Sequence, residues 1–186
     1  MGEASDLRGF HLPSMLRDGR PITIRIARPD DRQRIVAAFA KLDAQTIYTR
    51  FFGFRKEISE DMFARLDARD FDRYVALLAT LGSGPDEIVI GAVSYAVLDA
   101  TPAGRSADIA FIVEEDYQGQ GLAGKLLATI IEVARGRGIA RFEADVLAGN
   151  TAMLTVFRRS GLPFSTSREG GVIHFVLDLA AGPAQQ

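Results

Sequence analysis

Cysteine is absent from this 186-residue chain, and the histidines are only His11 and His174. The lack of cysteine excludes disulfides, thiolate metal ligands and a cysteine nucleophile. Because only two histidines are present as well, we predict no transition-metal site. Any reaction chemistry therefore depends on other side chains and on the backbone.

The chain also lacks a long apolar run and a dominant charge. No apolar segment approaches the length that spans a bilayer, and the acidic N-terminus does not resemble a signal peptide. A net charge of −2 and a pI near 5.7 give no broad electrostatic footprint for nucleic acid or an anionic membrane. We therefore expect a soluble, cytoplasmic protein without nucleic-acid or membrane partners.

Length and composition fit one domain with a substantial core. Hydrophobic residues make up 47% of the chain and charged residues 25%, which is ordinary for a globular protein. We predict an N-terminal extension over residues 1–20, one domain over residues 21–179 and a flexible tail over residues 180–186.

The most informative segment is a predicted strand, glycine-rich turn and helix over residues 106–138. Ile109 to Val113 is a short apolar run typical of a strand, and from Leu122 apolar residues recur at helical spacing until near Gly136. Between them, Gly119, Gly121 and Gly124 leave backbone amides unshielded, and the first turn of a helix has unpaired N–H groups. The segment therefore predicts a cradle for phosphate oxygens.

The remaining patterns predict a mixed α/β sheet, mostly antiparallel, flanked by helices. Antiparallel strands come first, and one strand–helix–strand unit follows them. In the strand at Ile22 to Ala27, apolar residues alternate with polar ones, as they do in an exposed-edge or half-buried strand. Predicted strands lie at residues 22–27, 74–81, 88–98, 142–146, 164–167 and 172–177, and predicted helices at residues 28–42, 44–54, 58–66 and 151–159.

The glycine-rich turn from Gly119 to Gly124, called the glycine segment below, has two phosphate-binding interpretations. One is a dinucleotide fingerprint, G-x-G-x-x-G, with Asp145 roughly 20 residues further on as a ribose-binding acid. A Rossmann domain would carry this motif near its start, directly after the strand. Here too few residues follow for further strand–helix units, and Glu114 to Asp116 separate the strand from the glycines. Both features disfavour this alternative.

The other interpretation is carried by more residues. Gln118 to Ala123 resembles the Q/R-x-x-G-x-G/A signature of the GNAT superfamily of acyl-coenzyme A N-acyltransferases, and Asn150 with Arg158 to Leu162 resembles the next motif of that family. More narrowly, the sequence resembles the acetyltransferase domain of bacterial protein lysine acetyltransferases over about residues 16 to 178. That match is carried by residues 17–19, 24–25, 29–31, 48–53 and 107–110.

The resemblance implies a GNAT fold, acetyl-CoA as cosubstrate and a set of cofactor-binding residues. The pyrophosphate would lie on the glycine segment, Asn150 would contact the cofactor, and a backbone N–H near Phe111 to Val113 would polarise the thioester carbonyl. The helix over residues 44–54 packs on the core or forms a wall of the acceptor channel. The implied cofactor-binding residues are Phe111, Ile112, Val113, Gln118, Gly119, Gln120, Gly121, Leu122, Ala123, Gly124, Asn150 and Phe157.

Transfer to an amine also needs a group that accepts the proton of the amine. Asp108 is our first candidate for this base, because the corresponding position of the lysine acetyltransferases carries a glutamate. Aspartate is one methylene shorter, so a bridging water becomes the favoured route. Alternatively, Asp108 pairs with an arginine or is exposed on a strand edge. Glu114 is the second candidate base, unless its acidic run is only a solvated strand end.

One position departs from the family pattern. Many GNAT enzymes carry a tyrosine that protonates the leaving thiolate where this chain has Phe157, which has no proton to donate. A thiol pKa of about 8.5 makes water a sufficient donor, with Tyr117 and Ser160 as substitutes. We predict that His174 is packed or paired rather than catalytic.

We therefore predict an acetyl-CoA-dependent N-acetyltransferase that works by direct transfer, with a protein lysine as the acceptor. A small-molecule amine is the nearest alternative acceptor. Phe157 and the shortened Asp108 motivate a third hypothesis, a non-catalytic acyl-CoA-binding regulatory module. The sequence leaves open the acyl chain and the oligomeric state, a homodimer included.

Overall fold

The computed structural model describes residues 6–51, 58–98 and 104–180 of the chain. Three predictions lie partly outside these residues: the helix over residues 44–54, the N-terminal extension over residues 1–20 and the flexible tail over residues 180–186. Secondary structure within the described residues follows most of the predicted order.

Eight strands and five α-helices are found within the described residues. The strands are β1 (His11–Met15), β2 (Pro21–Ile26), β3 (Tyr74–Leu81), β4 (Ile88–Val97), β5 (Arg105–Val113), β6 (Ile139–Leu147), β7 (Phe164–Glu169) and β8 (Val172–Asp178). The helices are α1 (Arg32–Lys41), α2 (Ala44–Phe51), α3 (Glu60–Ala68), α4 (Leu122–Gly136) and α5 (Thr151–Arg158).

All eight described strands belong to one sheet, in the order β1-β2-β3-β4-β5-β6-β8-β7. Every neighbouring pair is antiparallel except β5 and β6, which are parallel and joined through α4. A parallel pair needs such a crossover because the chain must return to the same end of the sheet. The predicted mixed, mostly antiparallel sheet flanked by helices is therefore confirmed.

Strand β2 is an interior strand, which corrects the exposed-edge interpretation of Ile22 to Ala27. Strand β1 pairs with it along its whole length, from His11 opposite Arg25 to Met15 opposite Pro21. The sequence analysis assigned no element to β1, because its mostly exposed residues show no apolar alternation and include Pro13. Proline is tolerated there because β1 is the edge of the sheet.

Apolar residues cover both faces of the sheet centre. Strand β3 is buried along both faces, which explains its continuous apolar run. On one face α4 packs its apolar stripe, including the fully buried Leu126 and Ile130, and each such side chain contributes about 1.5–3 kcal/mol. On the other face α1 and α3 cover a second, smaller cluster around Phe63 and Leu78.

A buried ion-pair network fixes this second face. The guanidinium of Arg25 donates to both carboxylate oxygens of Asp31, each at 2.7 Å, and to Glu87 at 2.8 and 2.9 Å. Burial is the largest single influence on the pKa of Asp31 and would raise it. The hydrogen bonds from Arg25 and from the backbone N–H of Arg28, together with the charges of Arg25 and Arg34, outweigh burial and lower it. Arg25 also lowers the pKa of Glu87. The network therefore joins β2 to the start of α1 and the start of β4.

The parallel pair β5–β6 separates after only part of its length. Residues Arg105 to Asp108 pair with β6 as far as Glu143, and no pairing continues beyond them among the described residues. Strand β5 still pairs with β4 up to Val113, while β6 pairs with β8 up to Leu147. The two strands therefore diverge, and a gap opens between them inside the sheet.

Among the described residues, no helix is long and apolar enough to cross a membrane. Within these described residues, no group of three or more side chains that could hold a metal ion is found.

Candidate functional site

A large cavity occupies the gap between β5 and β6, with a volume of about 1190 Å³. Its walls are the diverging halves of the two strands, the glycine segment, the start of α4 and most of α5. Of the predicted site residues, the cavity wall contains Asp108, Phe111, Ile112, Val113, Gln118, Gly119, Gly121, Leu122, Ala123, Gly124, Asn150 and Phe157. The structure therefore brings together most residues that the sequence selected.

The glycine segment forms an anion-binding turn. Gly119 and Gly121 have φ angles of 73° and 81°, in the left-handed region that favours glycine. Gly121 caps α4 without a side-chain hydrogen bond to the helix. The N–H groups of the first helical turn are therefore open to a ligand, at the positive end of the helix dipole. This geometry suits phosphate oxygens.

The turn between β1 and β2 holds the glycine segment in place through its carbonyl groups. The backbone N–H of Arg17 donates to the carbonyl of Gln120 at 3.2 Å, and Arg17 Nη1 donates to the carbonyl of Gly119 at 3.1 Å. The side-chain oxygen of Gln120 accepts from the N–H of Asp18 at 3.2 Å. Gln120 is consequently the one predicted loop residue that does not line the cavity, whereas Arg17 does line it.

The side chain of Gln118 connects the glycine segment to strand β5 and helix α2. Its Nε2 donates to the carbonyl of Val113 at 3.1 Å and lies 3.5 Å from Thr46 Oγ1. Gln45 and Thr46 of α2 form one side of the cavity. The sequence analysis did not select either residue as cofactor-binding, because an isolated polar side chain on a helix gives no motif.

Helix α5 supplies the opposite wall. Asn150 caps this helix, and its Oδ1 accepts from the N–H of Met153 at 3.1 Å. Phe157 is 1% exposed and packs against Phe111 and Phe175, with ring centroids 5.8 and 5.0 Å apart. The role of Phe157 in this wall is thus apolar packing.

The two substitute proton donors are separated by the structure. Tyr117 lines the cavity, and the guanidinium of Arg20 lies 4.9 Å from the centre of its ring. Ser160 does not line it, and its Oγ accepts from the N–H of Leu162 at 3.3 Å. Tyr117 is therefore the better placed of the two.

Asp108 lies where the gap begins. It is exposed, lines the large cavity and is the last residue of β5 that pairs with β6, opposite Glu143. On the neighbouring strands β6 and β8, His174 Nδ1 lies 2.8 Å from Asp145 Oδ1, and its Nε2 lies 3.7 Å from Glu143. His174 is therefore paired, as predicted, and its partner is the Asp145 that the dinucleotide interpretation assigned to a ribose.

Glu114 lies at the other end of β5 and faces a second cavity. This cavity has a volume of about 90 Å³ and is lined almost entirely by apolar residues of α1, α3 and strands β3 to β5. Glu114 is only 9% exposed, and its Oε2 has no hydrogen-bond partner among the described residues. Burial raises the pKa of this carboxyl, which Glu115 and Asp116 also raise. A solvated strand end is therefore the wrong description of Glu114.

The two cavities share one wall. Ala110, Phe111 and Ile112 of β5 line both of them, so the strand separates the large gap from the apolar cavity. Asp108 and Glu114 are six residues apart on this strand, which corresponds to about 20 Å. They therefore do not contact the same ligand atom.

Together, the glycine turn and the gap define a site for a long cofactor with phosphate at one end. The dinucleotide alternative is disfavoured further, because only one parallel pair occurs in the described sheet and the short turn Glu115–Tyr117 separates β5 from the glycines. A Rossmann site requires a parallel sheet and an immediate tight turn.

Comparisons with known proteins identify the family. A family model described as the Acetyltransferase (GNAT) family matches residues 41–162. Acetyltransferase PA5475 of Pseudomonas aeruginosa is 31% identical over 147 residues, which cover 79% of this chain and 77% of that protein. Acetyltransferase Pat of Mycolicibacterium smegmatis is 29% identical over 150 residues, and these cover 81% of this chain but only 44% of that protein.

Solved structures agree with this result. The GNAT domain of S. lividans PAT has a TM-score of 0.80 and 34% identity, over 90% of this chain and 96% of that domain. The same fold is seen in the structure of yncA, a putative acetyltransferase from Salmonella typhimurium with its cofactor acetyl-CoA. That structure has a TM-score of 0.66 and 21% identity, and the match covers 88% of this chain and 98% of that chain. The chain belongs to the GNAT acetyltransferase family, and it is an acetyl-CoA-dependent N-acetyltransferase.

Gly121→Ala is expected to weaken acetyl-CoA binding by about tenfold. Alanine at a φ of 81° costs roughly 1–2 kcal/mol, and the added Cβ would lie 3.4 Å from Arg17 Nε. Calorimetric titration with acetyl-CoA measures the effect. Gly136→Ala is the control, since Gly136 has ordinary helical φ and no atom within 4 Å of an added Cβ. Equal affinities for the two variants would contradict the role given to the turn.

Proposed function

We propose that the protein transfers the acetyl group of acetyl-CoA to the side-chain amine of a protein lysine, directly and within a ternary complex. The observation that carries this proposal is the shared wall at Ala110 to Ile112. Acetyl-CoA in the large gap would place its thioester beside this wall. The amine of an acceptor whose stem lies in the apolar cavity would reach the thioester past the edge of β5 that β6 leaves unpaired beyond Asp108.

The phosphate end of acetyl-CoA would lie on the backbone amides of Gly119 to Gly124. Its pantetheine arm would then follow the gap along β5, past Val113 and Ile112, with the side chains of α5 on the other side. A backbone N–H near Phe111 to Val113 would polarise the thioester carbonyl, because a fixed amide dipole stabilises the negative charge that develops on the oxygen. The placement of the cavity walls supports these assignments.

The chemical step forms one bond and breaks another. The neutral amine nitrogen bonds to the carbonyl carbon, the carbon–sulfur bond breaks, and the thiolate of coenzyme A leaves. Asp108 is the proposed base that takes the proton of the amine, directly or through one water. Water or Tyr117 returns a proton to the sulfur, because Phe157 has none to give.

The apolar cavity supports lysine as the acceptor. A lysine side chain is a flexible apolar stem that ends in one ammonium group. The cavity offers the same combination: an apolar lining with a single buried carboxyl, Glu114. No lysine or arginine is among the described residues that line it, although Lys41 lies close enough to lower the pKa of Glu114. A free amino acid would bring a carboxylate for which this lining has no cation.

Peptide and small-amine acceptors can be compared directly. Thiol release from acetyl-CoA is followed with a lysine-peptide pool, with the same peptides carrying norleucine in place of lysine, and with a panel of free amines and amino acids. We expect turnover with the lysine peptides, none with the norleucine peptides and lower kcat/KM for free amines. Turnover confined to free amines would overturn the lysine assignment. Acetyl-CoA binding without turnover on any acceptor would favour the regulatory module.

A further inference from the structure

The β1–β2 turn touches the phosphate-binding segment at consecutive carbonyl groups. Arg17 Nη1 donates to Gly119 O, and the backbone N–H of Arg17 donates to Gln120 O. The next residue of the turn, Asp18, donates its N–H to the side chain of Gln120. Three hydrogen bonds from two adjacent residues therefore fix the outer side of the glycine segment.

These contacts determine the direction of the loop amides. All described peptide bonds are trans, so the C=O and the following N–H of one peptide unit point to opposite sides. Because the turn holds the carbonyl groups of Gly119 and Gln120, the N–H groups of Gln120 and Gly121 point away from the turn. Two loop donors are thus preoriented by residues that lie about 100 positions earlier in the chain.

Arg17 also brings a positive charge to the wall of the large cavity. It is the only lysine or arginine among the described residues that line the large cavity. A guanidinium has five N–H donors, and the contact with Gly119 uses one of them. The cosubstrate of this family carries several negative charges at its phosphate end, and the rest of the described cavity wall offers them only neutral donors.

We infer that Arg17 is a positioning residue for the diphosphate of acetyl-CoA, and that the β1–β2 turn is therefore part of the cosubstrate site. It holds the glycine segment in its binding conformation and adds the one positive charge that the described residues place at the cavity wall. This inference rests on the proposed binding of the acetyl-CoA phosphates at the glycine segment. It assigns a function to Arg17 and Asp18, which the sequence marked only as part of the family resemblance.

The test combines variants of Arg17 with truncated cosubstrates. Arg17→Ala, Arg17→Gln and Arg17→Lys are assayed with acetyl-CoA, acetyl-3′-dephospho-CoA and acetyl-pantetheine, which lacks the diphosphate. We expect Arg17→Ala to lower kcat/KM by about 10- to 100-fold with both diphosphate compounds, because hydrogen bonds to charged groups are worth about 1.5–3 kcal/mol. With acetyl-pantetheine the variants should equal the unmodified protein. The effect should appear in KM rather than in kcat.

The conservative variants and a charge control complete the design. Arg17→Lys should recover part of the affinity, while Arg17→Gln should show a weaker dependence of affinity on salt than the unmodified protein. Arg8→Gln removes the same charge from an exposed arginine outside the cavity and should leave all three compounds unaffected. Unchanged melting temperatures would show that the Arg17 variants are folded.

Several outcomes would overturn the inference. One is an equal loss with acetyl-pantetheine, which would mean that Arg17 acts on the whole fold. Another is a loss with acetyl-CoA alone, which would assign Arg17 to the 3′-phosphate. A third is no loss at all in any Arg17 variant. Failure of the unmodified protein to bind acetyl-CoA would instead reject the proposed function, so the two failures are distinguishable.

Discussion

Asp108→Asn is expected to lower kcat by about 100- to 10,000-fold at neutral pH, while acetyl-CoA binds as before. The amide has the size of the carboxylate but does not accept the proton of the amine. Asp108 lies at the closed end of the gap, where β5 and β6 still pair, and the glycine turn lies beyond the other end of β5. The phosphate end of the cosubstrate is therefore not affected. Single-turnover acetylation of a lysine peptide measures the chemical step, and calorimetry measures acetyl-CoA binding.

Glu114→Gln is the matched comparison, because it makes the same chemical change at the other end of β5. If Asp108 is the base, Glu114→Gln should retain kcat within about tenfold and mainly raise KM for the peptide. The opposite result would transfer the role of base to Glu114. The pH profile provides a second criterion, since a base acts only when deprotonated and activity therefore rises with pH through its pKa. Burial raises the pKa of Glu114, so with this base the rise would lie above the ordinary glutamate range.

Arg25→Met is expected to lower the free energy of unfolding by about 3–5 kcal/mol. The side chain of Asp31 is 1% exposed and would remain in the core without its bidentate partner, and Glu87 would lose both of its hydrogen bonds from Arg25. Urea unfolding at pH 7 measures the loss. Arg20→Met is the control, because Arg20 and Asp18 form an exposed pair at 2.7 Å, worth less than about 1 kcal/mol. Similar losses in the two variants would contradict the importance given to the buried network.

The stability difference between the unmodified protein and Arg25→Met should also depend on pH, in a direction that the pKa shifts determine. The pKa values of Asp31 and Glu87 are lowered in the folded protein from 3.8 and 4.5. A carboxyl whose folded pKa is lowered contributes stability above its unfolded pKa and loses it as pH falls through the folded value. The stability difference between the unmodified protein and Arg25→Met should therefore be full above about pH 5 and shrink below pH 4. A difference that stays constant to pH 2 would show that packing, not charge, causes the loss.

The residues that the sequence selected for the cosubstrate lie together at one cavity for a physical reason. The strand, glycine turn and helix of residues 105–136 are adjacent in the chain, so local periodicity and the glycines determine both their structure and their mutual position. The predicted wall residues from Phe111 to Gly124 consequently line one cavity, apart from Gln120. The roles of individual residues in this wall stay predictions.

The contacts that the sequence did not predict connect distant parts of the chain. Arg17 is an exposed residue in a turn, and only the pairing of β1 with β2 brings it to the glycine segment. Glu114 is part of an acidic run, which by itself indicates exposure; helix packing over β5 buries it. In both cases the environment is set by tertiary packing, which a local pattern does not contain.

The shared wall at Ala110 to Ile112 also divides the chain into two separately variable portions. Beyond this wall, the apolar cavity is built almost entirely from residues 27–94, whereas the large cavity is built mostly from residues 108–157. Substitutions in α1 and α3 therefore reshape the apolar cavity without touching the glycine turn. With the acceptor in the apolar cavity, as proposed, a chain of this design can exchange one acceptor for another through its first half while its second half continues to bind the same acyl donor.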